Sequence, residues 1–296
     1  MTTAVDATVD RPDRNALTEG RRVAWAARRT DGTHRVSGVV RAGSAAAAAL
    51  IVLALWWVLA ASGAWSEIIL PTPAKVWHAF IQSVTIHDGR RGISNYYLWE
   101  HLWASLWRIL RGVFWAFVIG APIGLALGTW RPFELIAEPM ISFLRSLPPL
   151  AYFSLLIIWF GIDDTSKVWL LFLAAFPPIT LAVAAGVATV RTERINAALV
   201  LGATRWQLLR HTVLPSVLPD LITGLRVAVG FAWTTIVAAE TSNGIPGIGG
   251  LAWSTKKELR SDIAILCVIV IGITAVLLDT VLRLAERRLV PWKGRA

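Results

Sequence analysis

The chain has 296 residues, of which 55% are of the types AVILMFWYC and only 16% are charged, and its mean hydropathy is +0.58. A soluble protein needs about 25% charged residues to cover its exterior, so this composition excludes a soluble domain and points to a bilayer. The net charge of +10 would raise nucleic-acid binding in a soluble protein, but here the basic residues flank apolar runs, and membrane orientation explains them better.

Residues 1–41 carry eight Arg and five acidic residues and lack the apolar run of a cleavable signal peptide, so they read as a cytoplasmic tail. No charge occurs from Ala42 to Ser66, a stretch long enough to cross roughly 30 Å of hydrocarbon as a helix. Residues 67–100 return to mixed polarity, with Pro71 and Pro73. Further spans are expected at Gly112–Trp130, Ser146–Ile162 and Val168–Val190, the last two separated by the polar turn 163–167. A fifth runs from about Leu221 to Ala239 with Arg226 inside it, and a sixth from Ile263 to about Leu282 with Asp279 near its end. The expectation is an all-α polytopic membrane protein with six transmembrane helices, residues 42–296 forming one transmembrane domain behind the tail.

With both termini cytoplasmic, the inner segments hold 19 Lys and Arg against 9 outside, or 11 against 9 without the tail. That sign favours termini inside a cell membrane. Of the sixteen tryptophans, Trp65, Trp103, Trp107, Trp130, Trp159 and Trp253 fall near expected span ends, where indole rings sit at the headgroup level.

Catalytic chemistry finds no candidate. The lone cysteine, Cys267, excludes a disulfide framework, and the histidines at 34, 78, 87, 101 and 211 show no metal-ligand spacing. No lysine follows a glycine, which excludes a phosphate-binding P-loop, and Gly-x-Ser-x-Gly is absent. No catalytic residue, metal or cofactor is expected on this chain. The informative stretch is instead the inner loop between the fourth and fifth spans. It reads as two short helices around Gly202, a residue suited to a left-handed C-cap, and the second helix opens with the capping box Thr204-Arg-Trp-Gln207. Pro215 and Pro219 are expected to stop that helix and start the next. A folded helical loop showing Leu199, Leu201, Trp206 and Leu209 has more apolar surface than a solvated connector needs and reads as a docking knob.

The pattern of Ala197, Ala198, Gly202 and Ala203, followed by Leu214 and Pro215, resembles the EAA signature of membrane subunits of bacterial ATP-binding-cassette importers. Asn196 stands where that signature usually has Glu. The resemblance extends over about 96–293, through His101–Arg108, Arg145-Ser-Leu-Pro-Pro149, Trp159–Ile162, Gly224-Leu-Arg226, Ala238-Ala-Glu240 and Arg287–Trp292, and is to the taurine, aliphatic sulfonate and nitrate permease branch. It implies the MetI-like fold of type I importers, with 191–215 as the coupling loop to the ATPase. It also implies a homodimer, two cytoplasmic ATPase subunits that hold ATP and Mg, and an extracytoplasmic substrate-binding protein. The implied activity is import of taurine or a related small sulfonate by alternating access; a nitrate or pyrimidine-precursor permease is the alternative within transport, and a secondary carrier or membrane enzyme lies further off.

Several residues carry two readings. Arg145, Pro148 and Pro149 sit at the inner end of the third span, where paired prolines make either a gate hinge or a helix start. Pro177 and Pro178 interrupt the fourth span as a cavity wall or a static kink. Arg226 either contacts an anionic substrate or instead snorkels to the inner interface or pairs with Asp220, and Glu240 closes the same helix. Arg108 and Arg111 share a helix face, as interfacial anchors or as charges that steer an anion. The glycine-rich loop 244–251 resembles the one such permeases present to the binding protein, and chain flexibility is the plainer account.

Overall fold

The computed structural model describes residues 38–87 and 89–291, so the tail before residue 38 and residues 292–296, Trp292 among them, lie outside the described residues. Helix α1 (Gly38–Ala61) is unbroken, and its stretch Ala46–Ala61 is apolar throughout. At 1.5 Å per residue, 24 residues reach about 36 Å. Helix α2 (Pro73–Val84) opens with proline at its first position, and the Thr72 hydroxyl accepts from the Lys75 N–H. Strands β1 (Ile86–His87) and β2 (Arg90–Arg91) then pair antiparallel, a small departure from an all-helical chain.

Helices α3 (Leu98–Thr129), α4 (Arg131–Ser146), α5 (Pro149–Phe160) and α6 (Asp164–Ala188) follow. Next come α7 (Thr192–Val200), α8 (Arg205–Leu208), a π turn over Leu209–Val213, and α9 (Leu214–Asn243). The chain ends in α10 (Ile248–Glu258) and α11 (Ser261–Leu289). Among the described residues four helical stretches are long and apolar enough to cross a membrane, namely α3, α6, the continuous path Arg205–Asn243, and α11.

Two of the six expected spans take another form: the first contributes the shorter apolar helix Ala46–Ala61, and the third is not one straight helix. Residues expected as one crossing are a 12-residue helix, α5, joined to α4 at a bend of 96°. Twelve residues rise only about 18 Å, so α5 alone falls short of a bilayer's roughly 30 Å, and it is the bent pair α4–α5 together that returns the chain from the end of α3 to the start of α6, which runs beside α3 in the same direction. The cause of the bend is the Pro148-Pro149 pair. Leu147 and Pro148 are extended, and Pro149 occupies the first helical position, where its missing N–H costs nothing. Pro177 and Pro178, by contrast, do not break α6, which runs through them.

The core forms where α3, α6 and α9 meet. Ile109, Val113 and Ala116 of α3 pack on Leu171, Ala175 and Ile179 of α6 and on Ala228, Ala232 and Ile236 of α9, each set at the three- or four-residue spacing of one helix face. What brings α3 against α6 is a row of small residues at 112, 116, 120, 124 and 128. A Cβ on Gly112 would lie 2.5 Å from the Leu171 Cβ, and one on Gly124 the same distance from the Thr180 carbonyl oxygen. In lipid, where burial of apolar area gives no drive between helices, such close backbone contact is what holds them. The tryptophans expected at span ends, Trp65, Trp103, Trp107, Trp130, Trp159 and Trp253, are all exposed, as an interfacial belt requires.

Candidate functional site

Two regions stand out, one by its buried polar groups and the other by its exposed apolar ones. They lie at opposite ends of the α3, α6 and α9 core. The end where α3 and α6 start and α9 stops is called the head here, and the other the foot.

At the foot, α7 ends in a Schellman cap. The Ala203 N–H donates to the Ala198 carbonyl at 3.0 Å, the Gly202 N–H to Leu199 at 2.9 Å, and Gly202 adopts φ +82°. Thr204 and Gln207 then form the capping box: the Gln207 N–H donates to Thr204 Oγ1 (3.3 Å) and the Thr204 N–H to Gln207 Oε1 (2.8 Å). This double lock fixes an angle between α7 and α8 and leaves apolar side chains outward. Val200 and Leu201 are each 87% exposed and Trp206 67%. Asn196 and Ala197 lie exposed on α7, with Ala198 half-buried.

Two local expectations change here. Leu209 turns inward and packs against Val183, Val213 and Val217, while Val200 takes its place on the exposed face. Pro215 does not stop the second helix. The π turn just before Leu214 and Pro215 widens the helix where the proline ring would otherwise meet the preceding carbonyls, and the path continues into α9.

At the head, a buried polar cluster joins α3, α6, α9 and the loop into α10. Arg108 donates from Nη1 to Glu240 (2.6 Å) and the Pro246 carbonyl (2.9 Å), and from Nε to Asp164 (2.7 Å). The Ser105 hydroxyl donates to Glu240 at 2.8 Å and accepts from the Ile248 N–H, while the Gly249 N–H donates to the same carboxylate at 2.9 Å. His101 is also buried. With its proton on Nε2 it donates to the Ile93 carbonyl (3.2 Å) and accepts the Gly247 N–H at Nδ1 (3.1 Å). Lys167 donates to the Asn243 carbonyl and faces Asp164 at 3.9 Å.

This arrangement corrects the reading of Arg108. Its guanidinium is buried and paired with two carboxylates, so it is not a free interfacial charge that snorkels to the headgroups. Arg111 is half-exposed, 3.4 Å from Asp164 and 5.8 Å from the Trp107 ring. The glycine loop is not a flexible surface either. Gly244, Gly247, Gly249 and Gly250 are buried, and a Cβ on Gly247 would come within 2.7 Å of the Glu240 carboxyl carbon. Arg226 pairs with Asp279 (2.8 Å) and Glu286 (3.3 Å) of α11 rather than with Asp220. Arg145 is exposed in the last turn of α4, beside exposed Pro148. Among the described residues Arg145, Arg226 and Glu240 share no ion pair, so the structure does not gather the expected path residues into one site.

Sequence reasoning did not assign Ser105, His101, Asp164 and Lys167 to this cluster. A signal existed: His101, Ser105 and Arg108 recur at i, i+4 and i+7, a polar stripe at the start of an apolar helix.

Comparisons with known proteins agree with this architecture. Residues 116–294 match the family model described as binding-protein-dependent transport system inner membrane component. The taurine transport system permease protein TauC of Escherichia coli (strain K12) is 40% identical over 242 residues, 82% of this chain and 86% of that protein. The putative aliphatic sulfonates transport permease protein SsuC of Bacillus subtilis (strain 168) is 30% identical, covering 82% and 84%, and the bicarbonate transport system permease protein CmpB of Synechococcus elongatus is 31% identical with the same coverage. A chain of the inward-facing MetNI methionine ABC transporter superposes with a TM-score of 0.58 at 20% identity, over 65% of this chain and 95% of that one, which shows the shared fold.

Proposed function

Because the chain belongs to the family of binding-protein-dependent transport system inner membrane components, we propose that two copies of it form the path by which an ATP-driven importer admits taurine or a related small sulfonate. It is a multi-pass membrane permease, the translocation subunit of an importer. The foot would face the cytoplasm, where two ATPase subunits, holding ATP and Mg, dock on α7 and α8; an extracytoplasmic binding protein would deliver substrate at the head. The observation that supports docking is the capped, outward-turned surface of Val200, Leu201 and Trp206, apolar area that a monomeric loop has no reason to fix in place. The substrate reading rests on the 40% identity to the taurine permease, against 30–31% for the sulfonate and bicarbonate relatives.

Alternating access then requires two arrangements of the dimer, biased by the ATPases below and the binding protein above. The bend between α4 and α5 is a candidate for the moving part, since Pro148 removes a backbone donor there. The test is uptake of labelled taurine by cells lacking their own system and supplied with this chain, its ATPase and its binding protein. Accumulation should need all three and be competed by unlabelled sulfonates. Competition by nitrate or bicarbonate but not by taurine would move the substrate class, and uptake without the ATPase would make the chain a secondary carrier.

A further inference from the structure

At the foot, a cavity of about 600 Å³ opens between the end of α6 and the start of α9, with Arg191, Arg194, His211, Thr189, Thr212 and Ser216 on its wall. Every charged or titratable side chain lining it is basic. Among the described residues neither Arg191 nor Arg194 has an ion-pair partner, unlike Arg108 and Arg226. The other polar groups are largely occupied. The Thr189 hydroxyl donates to the Gly186 carbonyl (2.8 Å), the Ser216 hydroxyl to Thr212 (2.7 Å), and His211 Nδ1 lies 3.1 Å from the Gln207 carbonyl. The two guanidinium groups, on exposed residues at the cavity mouth, are thus paired with no carboxylate and are suited to phosphate oxygens.

Beside this cavity, and sharing Pro215 with it, lies an apolar groove of about 310 Å³ lined by Ala121, Leu125, Val183, Leu218 and Leu221. Val183 precedes Thr189 by six residues on α6, so the groove reaches about 9 Å deeper into the core than the basic cavity at the helix end. Charge at the helix terminus with an apolar channel deeper in is the order of groups in a phospholipid. The wall carries no carboxylate, so a headgroup with an ammonium would find no partner for it, whereas a phosphate with an uncharged ester would be fully matched.

We infer that the foot of this permease binds an anionic phospholipid, its phosphate held between Arg191 and Arg194 and one acyl chain lying in the groove along Leu218. The site lies within the coupling loop, with Arg194 on the docking helix α7, but does not include the exposed face of Val200, Leu201 and Trp206, and it does not rest on the substrate reading.

The probe is phosphatidylglycerol, with phosphatidylcholine and water-soluble glycerol phosphate as controls. The full chain in mild detergent would be exchanged against mixed micelles and the retained lipid read by native mass spectrometry. Phosphatidylglycerol should be retained over phosphatidylcholine. Arg191→Gln with Arg194→Gln should weaken that retention about thirtyfold, since each basic side chain near an anionic headgroup contributes close to a factor of five. The doubly substituted Lys variant should keep most of it, which ties the effect to charge rather than to folding. Leu218→Gln should also lower retention, and glycerol phosphate should not compete. Unchanged phosphatidylglycerol retention in the double Gln variant overturns the inference; if that variant does not accumulate, unchanged retention in Leu218→Gln overturns it instead. Equal competition by glycerol phosphate would make this a site for a soluble anion, and release of the lipid when the ATPase subunit is added would assign the cavity to that partner.

Discussion

At one end of the path that ends in α9, Glu240 is buried and accepts hydrogen bonds from Ser105, Arg108 and Gly249; at the other, Trp206 stands 67% exposed beside Val200 and Leu201. Charge is inside at the head and apolar surface is outside at the foot, the reverse of what polarity alone suggests. The difference lies in what each end must do. At the head, four segments from distant parts of the chain meet, and a multivalent carboxylate with a guanidinium ties them through directional bonds that apolar packing cannot supply. At the foot, the local caps and the inward packing of Leu209 fix the loop, and the outward apolar face is left for a partner.

The largest expected effect comes from breaking the head. Arg108→Ala would leave Glu240 buried with only Ser105 and Gly249 as partners, and removing one member of a buried pair costs about 3–5 kcal/mol. Thermal unfolding in detergent should fall by on the order of 10 °C. Arg108→Met with Glu240→Gln should recover much of that loss, because no unpaired charge remains. Equal losses in the single and double variants would show that the cluster does not act as a unit.

Gly202→Leu should act in the opposite way. A non-glycine residue at φ +82° costs about 1–2 kcal/mol, too little to unfold the chain, and open space surrounds the position. The Schellman cap would open, however, and α7 would lose its fixed angle to α8. Membrane insertion should persist while co-purification of the ATPase falls at least about tenfold. Normal association would remove the loop from the docking assignment.

How these ends read in the sequence differs with the range of the interactions. The foot was legible because its determinants are local: the glycine cap and the Thr204–Gln207 box each lie within a few residues and need no tertiary knowledge. The head was not, because Arg108 meets Glu240 across 132 positions and Asp164 across 56, and a charge near a span end fits a snorkelling anchor equally well. The four long apolar helices were legible from hydropathy, whereas the bent pair was not. The apolar run continues through Pro148-Pro149, and hydropathy is blind to the helix break that backbone chemistry imposes there. The small-residue row on α3 was present in the sequence at every fourth position, but it states a close approach without saying which helix approaches.

A smaller effect is expected at Arg226, which is paired but partly exposed. Arg226→Gln would leave Asp279 with Arg283, 2.7 Å away, so the loss should stay near 1 kcal/mol. Taurine uptake should be near normal once corrected for the amount of protein in the membrane. A transport loss of more than about tenfold with normal amount and unfolding temperature would return Arg226 to the translocation path.

The smallest effect is expected at Asn196, where the chain departs from the EAA pattern. The side chain is exposed in the middle of α7, and the caps that fix the loop lie at Gly202 and Thr204, beyond its reach. Glu is at least as good a helix former as Asn, and the new carboxylate would stand three residues from Glu193, a like-charge pair costing a few tenths of a kcal/mol. Asn196→Glu should thus leave unfolding within about 0.5 kcal/mol of the parent. If docking depends on the apolar face of Val200, Leu201 and Trp206, ATPase co-purification and uptake should also be unchanged. If instead the ATPase presents an acidic group opposite this position, the added charge should weaken association by about tenfold at low salt and much less at high salt, because exposed charges are screened. That salt dependence separates the two cases: a salt-insensitive loss would mean that shape at Asn196 matters, and the foot would then hold its partner through the helix surface as well as through its apolar tip.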